Sequence, residues 1–385
     1  MCFTLRRRTS KKESYYLHTT LAGHSGAITR LRASDEGKFL ASAGTDGTKV
    51  WDVSTKRELA SPKSPAIRGA TTALVWVKRE DDLGEALFYG TLNGYLVCWR
   101  QAKQDELTVF EETGCVRLAK PAEITSLEFD APSNRLVVCH RGAMVQAFVL
   151  DNTMAFTPVF TLEVKNAMPQ AVGFGQMHGD EREILVFTRD EGDIYVLRGK
   201  GEVSGERWRT GVQIGAIALD ARKGVLCIDE PLTGANLFRL EDRTRVKTFP
   251  IVIVREGKKL RQVALLDECK TIVSGSDHGV VYVFDRRSGD TLDILKVHPH
   301  ESVQTVAAAD CAGIPTIFAA KSRDTDGPNQ IYIWRKKSQR RFGGSGIGVA
   351  GMVCGMLVFI QLLIVVAAVA FVYQNFLASI RKETM

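Results

Sequence analysis

From Ile347 to Tyr373 the chain reads IGVAGMVCGMLVFIQLLIVVAAVAFVY, with one strongly polar residue, Gln361, and no charge. A run of that length exceeds the ~20 residues that carry a helix across ~30 Å of hydrocarbon. Its lack of a polar stripe on any face separates it from the half-buried helices of soluble cores. The expectation is one transmembrane α-helix over 347–373, so everything before it must fold on one side of a bilayer. Lys and Arg beside a span favour the cytosolic side. Arg335, Lys336, Lys337, Arg340 and Arg341 precede the run and only Arg381 and Lys382 follow it, which predicts a cytosolic N-terminal part and a tail, 374–385, across the membrane. So short a tail is still inside the ribosome when translation ends, and insertion after synthesis, as in a tail-anchored protein, is expected.

The formal net charge is +7, much of it clustered near the two termini. That pattern suits an anionic surface better than a nucleic-acid groove, and no nucleic acid is expected as a partner. The N-terminus, MCFTLRRRTSKKESYY, starts basic but has no apolar stretch after it, which argues against a secretory signal. Eight cysteines lie scattered at 2, 98, 115, 139, 227, 269, 311 and 354, without the CxxC or His spacing of a zinc site. Reduced thiols in a cytosolic domain follow as the simplest reading.

Ahead of the apolar run the sequence is organised in short strands and turns. Residues 21–59, LAGHSGAITRLRASDEGKFLASAGTDGTKVWDVSTKREL, alternate at Ile28, Leu31 and Ala33, turn at DEG, resume as FLASAG, turn at TDG and end in KVWDV. Looser copies begin at Thr71, Glu123, Ala171, Ile214, Leu260 and Ser302, so seven units fill 24–337. The seventh stops at its third strand, IYIW. Tyr15 to Leu21 has strand composition and can supply the missing one, which would close a ring and protect its sheet edges.

The first unit resembles a WD40 repeat, with Gly23-His24 at its head and Trp51-Asp52 at its end. A lone four-stranded blade cannot bury both its faces, so neighbours must cover it. The resemblance implies an all-β fold: a seven-bladed WD40-like β-propeller over 15–337, followed by one transmembrane α-helix. A basic tail, 1–14, precedes the propeller and a basic, Gly-containing linker, 338–346, follows it. It also implies a buried hydrogen-bonded set of His24, Ser42, Asp46 and Trp51. Asp46 stands one residue nearer its Trp than Asn93 stands to Trp99 in the second unit, which leaves the geometry of that turn open. In the sixth unit His278 takes the Asp position and Phe284 the Trp position.

Motifs that carry chemistry are few. Gly346-x-Gly348-x-x-Gly351 matches a dinucleotide fingerprint by letter, but basic linker precedes it and apolar residues follow, where a strand and an acidic residue are needed. No cofactor is expected. Gly344-x-x-x-Gly348 and Gly351-x-x-x-Gly355 put small residues on one helix face and suggest a homodimer through the span, although glycine is common in membrane helices anyway. His298-Pro-His300 lacks a third ligand nearby and reads as a turn more readily than as a metal pair. Without GxSxG, HExxH or a familiar Cys/His spacing, the chain does not read as an enzyme.

Trp208 in GERWRTG, flanked by Arg207 and Arg209, is either an exposed binding anchor or core packing at a blade edge. In a WD40-like propeller the chain leaves the seventh blade at its lower face, and the tail with Arg6, Arg7, Arg8, Lys11 and Lys12 starts from that face too. These residues, with Arg335 to Lys337, Arg340 and Arg341, would then meet an anionic cytosolic leaflet; the alternative is a solvated, disordered tail. The opposite face offers Glu206 to Gly211, Arg255 to Arg261, Lys296 to Glu301 and Ser322 to Asn329 as partner loops. Lys258, Lys259, His298 and His300 are among the candidates, and an acidic partner segment suits the basic loops best.

The function expected is a non-catalytic protein-interaction scaffold, tethered to the cytosolic face of an internal membrane such as the endoplasmic reticulum. A second reading, from likeness of architecture to Sec12-like exchange factors, is a regulator of a small GTPase in vesicle trafficking. Those proteins use a glycine-rich, lysine-bearing cation loop near the start of the propeller, and no such loop stands between Leu5 and Thr71.

Overall fold

Middle strands such as FLASAG, apolar at nearly every position, suit sheets covered on both faces, and every residue of Phe39–Gly44 is buried. The computed structural model describes residues 14–81, 84–104, 107–165, 167–179, 181–190, 192–254, 260–299, 301–322 and 329–337. They form seven four-stranded antiparallel sheets. From the innermost strand outward, blade 1 is Ile28–Ala33, Phe39–Gly44, Gly47–Asp52 and Arg57–Leu59. The innermost strands of blades 2 to 7 are Thr71–Val77, Ile124–Asp130, Pro169–His178, Ala216–Asp220, Val263–Leu266 and Thr305–Cys311. Each contacts the next, and the seventh contacts the first, so the ring is closed.

Blade 7 takes its fourth strand from the other end of the domain. Tyr15–His24 pairs antiparallel with Asn329–Lys336, Tyr15 opposite Lys336 and His24 opposite Asn329. Within each blade the strands alternate in direction, which defines an upper face, where the innermost strands begin, and a lower face, where they end. The chain enters and leaves the ring at the lower face.

The core is divided among the blade interfaces. Seven apolar clusters each join two adjacent blades; between blades 1 and 2, for instance, Phe39, Ala41 and Val50 meet Trp76, Leu87 and Trp99. Phe39 stacks on Trp76 at 5.7 Å and meets Phe110 edge-on at 5.5 Å, a geometry aromatic rings favour. Cys98, Cys139, Cys227, Cys269 and Cys311 are free and buried. Burial pushes the Cys98 thiol up to about 11 and that of Cys139 to about 12, so these thiols stay protonated and pack as small apolar groups.

The compact ring ends at Lys337. The basic tail with Arg6, Arg7, Arg8, Lys11 and Lys12, the loop residues Lys258, Lys259 and His300, and the linker with Arg340 and Arg341 lie outside the described residues. So do the span expected at 347–373 and the tail 374–385. Among the described residues, no helix is long and apolar enough to cross a membrane.

Candidate functional site

Ring closure and the upper rim share one polar constellation. His24 ends the closing strand of blade 7, whereas Ser42, Asp46 and Trp51 belong to blade 1, so the set that reads as one unit in sequence stitches the last blade to the first. The imidazole Nδ1 lies 2.6 Å from Asp46 Oδ1 and Nε2 lies 2.7 Å from Ser42 Oγ. Trp51 Nε1–H donates to the same Ser42 oxygen at 2.8 Å. With that oxygen accepting from Trp51, the Ser42 hydroxyl donates to Nε2, and Nδ1–H donates to Asp46. Burial lowers the His24 pKa below its ordinary value, against the upward pull of Asp46, and favours this neutral tautomer. Burial raises the Asp46 carboxyl, but hydrogen bonds from His24 and the Ser25 amide outweigh it and hold it low. Gly44 is required here, because a Cβ would sit 2.6 Å from the imidazole and 2.5 Å from the Asp46 carboxylate.

Below the rim, the innermost strands line a cavity of about 450 Å³ to which all seven blades contribute. Several blades are latched around it by one repeated device. A threonine hydroxyl at the head of an innermost strand donates to a carbonyl of the next blade: Thr29 to Thr71, Thr72 to Ile124, Thr125 to Pro169 and Thr305 to Ile28. Thr29, Thr72 and Thr125 sit where the strand register slips by one residue, which turns their side chains toward the neighbour. Between blades 5 and 6 a buried ion pair holds instead. Arg261 Nε donates to Asp229 Oδ1 at 2.9 Å, its backbone N–H to Oδ2 at 3.1 Å and Nη2 to the Glu230 carbonyl at 2.7 Å. Burial pushes the Asp229 carboxyl up to about 6, and Arg261 pulls it back.

Among the described residues, three arginines reach this cavity. Arg261 is paired behind its wall, and Arg32 spans from blade 1 to Glu128 of blade 3 at 3.1 Å. Among the described residues the Arg30 side chain makes one hydrogen bond, Nη1 to the Thr29 carbonyl at 3.1 Å. Burial lowers its pKa, Glu123 counters it, and Glu123 is already held by Arg141 at 2.6 Å. Gln170 and Gln262 line the same cavity, and their side-chain amides have no hydrogen-bond partner among the described residues.

Trp208 is not a surface anchor. It sits in the outer strand of blade 4, Glu202–Arg209, is 7% exposed, and packs edge-on against Phe238 of blade 5 at 5.7 Å. The Arg-Trp-Arg spacing holds the reason: at period 2 the two arginines share one face of the strand and Trp208 takes the other. Arg207 Nε donates to Asp193 at 2.7 Å, and Arg209, its side chain 77% exposed, remains on the upper rim. His298 lies in the turn after blade 6, 3.7 Å from Glu301. No group of three metal-binding side chains occurs among the described residues. On the lower face Lys336 Nζ is 2.6 Å from Asp267, so one of the basic residues assigned to the membrane is matched within the ring.

Sequence reasoning passed over Arg30, Gln170 and Gln262, and also an apolar ridge on the upper rim. Leu232, Val252, Ile253 and Val254 are all exposed, Val252 and Val254 by 63%. The run PIVIV after the outer strand of blade 5 was the available signal for the ridge, and Arg30-x-Arg32 at strand spacing was the one for the channel.

Comparison with known proteins agrees with this geometry. The family model "WD domain, G-beta repeat" matches residues 15–52, from the closing strand through the third strand of blade 1. The crystal structure of the WD40 β-propeller domain of Doa1 is similar at a TM-score of 0.63 and 14% identity, covering 84% of this chain and 98% of that one; at such identity the likeness speaks for the fold. No curated protein matches the sequence. WD40 propellers are generally non-catalytic scaffolds and commonly bind other proteins. With seven four-stranded blades in a closed ring, the chain is a seven-bladed β-propeller whose first blade matches the WD domain, G-beta repeat.

Proposed function

We propose that the protein is a membrane-tethered, non-catalytic interaction scaffold that presents the upper face of its propeller to cytosolic partners. The observation that carries this reading is the meeting of both ends of the described ring at the lower face, where the Lys337 amide bonds to the Ser14 carbonyl. The upper face, with the channel mouth, Arg209 and the ridge at Leu232 and Val252 to Val254, carries neither end of the described ring. The apolar run 347–373 supplies the tether, and the lower-face cations, each contributing up to ~1 kcal/mol near an anionic leaflet, assist it. An internal membrane such as the endoplasmic reticulum suits a post-translationally inserted anchor, and small residues in the span offer a dimer contact.

Two measurements test this. After cell fractionation the full-length chain should pellet with membranes and resist alkaline extraction, while deletion of 347–373 should release it; a full-length product in the supernatant ends the tether. Proximity labelling from the N-terminus should return partners that are lost in Arg209→Gln combined with Val254→Asp and kept in Lys270→Gln on the lower face. Loss with the lower-face variant alone would move the surface. Nucleotide-release assays with candidate GTPases separate this reading from an exchange factor.

A further inference from the structure

We infer that the channel is a receptor for one anionic side chain, a carboxylate or a phosphorylated hydroxyl, that a partner segment inserts from the upper face. The inference rests on the scaffold reading and names the chemistry of its site.

The charge balance of the lining carries the argument. Of the three arginines that reach the cavity, Arg32 has Glu128 at 3.1 Å and Arg261 has Asp229 at 2.9 Å. Arg30 has no carboxylate within ion-pair distance among the described residues and spends one of its five N–H groups on the Thr29 carbonyl. Arg30 is half-buried, and a cation partly withdrawn from bulk water without a counter-charge adds nothing to the stability of a fold. Its presence in the channel is accounted for if the counter-charge arrives with a ligand.

Neighbouring groups fit the same occupant. Gln170 is 9% exposed, and its side-chain amide has no hydrogen-bond partner among the described residues. The Gln170 amide N–H groups and the Arg30 guanidinium line the same cavity and are donors for an oxyanion. A cavity of about 450 Å³ lies in the ~300–1,000 Å³ range of small-ligand pockets. One polar side chain fits; a folded element does not. Depth is limited by the Arg32–Glu128 pair of the same lining, two residues further down the strand from Arg30 and so ~7 Å lower. Its own carboxylate repels an anion that goes deeper.

The experiment titrates the purified full-length protein with three capped tripeptides, Gly-Glu-Gly, its phosphoserine counterpart and its glutamine counterpart, and separately with inorganic phosphate. Calorimetry and melting temperature are the readouts. One charged tripeptide or both should bind at one site and raise the melting temperature, and the glutamine peptide should not. Arg30→Gln should weaken binding by about tenfold or more, the loss expected when one charge-assisted hydrogen bond is removed, while Arg30→Lys keeps part of it. Without ligand, Arg30→Gln should melt no lower than the wild type, which a merely structural arginine would not allow.

Equal binding by wild type and Arg30→Gln overturns the inference, as does binding of the glutamine peptide or a lower melting point for unliganded Arg30→Gln. Inorganic phosphate binding without either charged peptide would assign the channel to a free anion and overturn it too. If Arg30→Gln keeps every labelled partner of the tethered wild type, the channel inference fails and the scaffold stands. An absence of partners for the wild type is the separate failure of the scaffold.

Discussion

The backbone N–H of Lys337 donates to the carbonyl of Ser14 at 2.8 Å, so the first and last described residues of the ring are hydrogen-bonded neighbours. Just beside them the Asp293 carboxylate on the outer strand of blade 6 accepts the amides of Ser14 and Tyr15 at 2.8 and 2.9 Å. The closing strand is therefore pinned below by a carboxylate of blade 6 and above by His24. Asp293→Ala should cost about 1–2 kcal/mol for the lost charge-assisted bonds. Hydrogen exchange should accelerate over residues 15–22 and not in blades 2 to 5; uniform acceleration would mean that the ring melts as one unit and the pin is not local.

Acid should loosen the same closure. The folded-state pKa of His24 is depressed below the 6.5 of an unperturbed histidine, so the unfolded chain binds the proton more readily in the interval between them. Stability contributed by the neutral ring is present above pH 6.5 and is lost as pH falls through that interval. Protonated Nε2 can no longer accept from Ser42. His140, buried in blade 3 and also depressed by burial, acts in the same sense, so the informative quantity is a difference. His24→Asn should be less stable than wild type at pH 7.5, with the gap narrowing toward pH 5; a constant gap would remove the titration from His24.

Breaking the clamp between blades 5 and 6 on one side should be worse than removing it. Arg261→Met leaves the Asp229 carboxylate buried beside apolar atoms and should cost about 3–5 kcal/mol, whereas Arg261→Met with Asp229→Leu should recover most of it. Denaturant midpoints at pH 7.5 decide between them. A further melt of Arg261→Met at pH 5 should show a smaller deficit, because Asp229 can then take up a proton.

Trp208 and Arg209 are adjacent in sequence and should differ in consequence. Trp208→Ala opens a cavity between blades 4 and 5 and should cost about 3–5 kcal/mol. Arg209→Gln should stay within about 0.5 kcal/mol of wild type, since its side chain is exposed and 3.9 Å from its nearest acid. Thermal melts of both variants check this, and a stable Trp208→Ala would return the indole to the surface.

Local pattern carried the architecture and did not carry the site. Alternation and turn residues recur every blade because each blade meets the same physical demand, two covered faces, and the missing fourth strand of blade 7 could be found by counting strands. Trp208 shows the limit. Its flanking arginines leave a surface anchor and a core position at a blade edge equally open, although the same period-2 rule that locates strands turns it to the face opposite them. Lys336 was counted as a membrane cation because its neighbour in space, Asp267, lies in a different blade.

What the chain determined by itself is the number of blades, their middle strands and the segment that closes the ring, since these follow from periodicities within a few tens of residues. Only the tertiary structure decided that His24 joins blade 7 to blade 1, that Arg261 finds Asp229, and that Arg30 finds no carboxylate among the described residues. Those outcomes depend on which blades become neighbours across a closed ring, and a charge is matched or left unmatched by groups far away in sequence that come within reach only when the circle is complete.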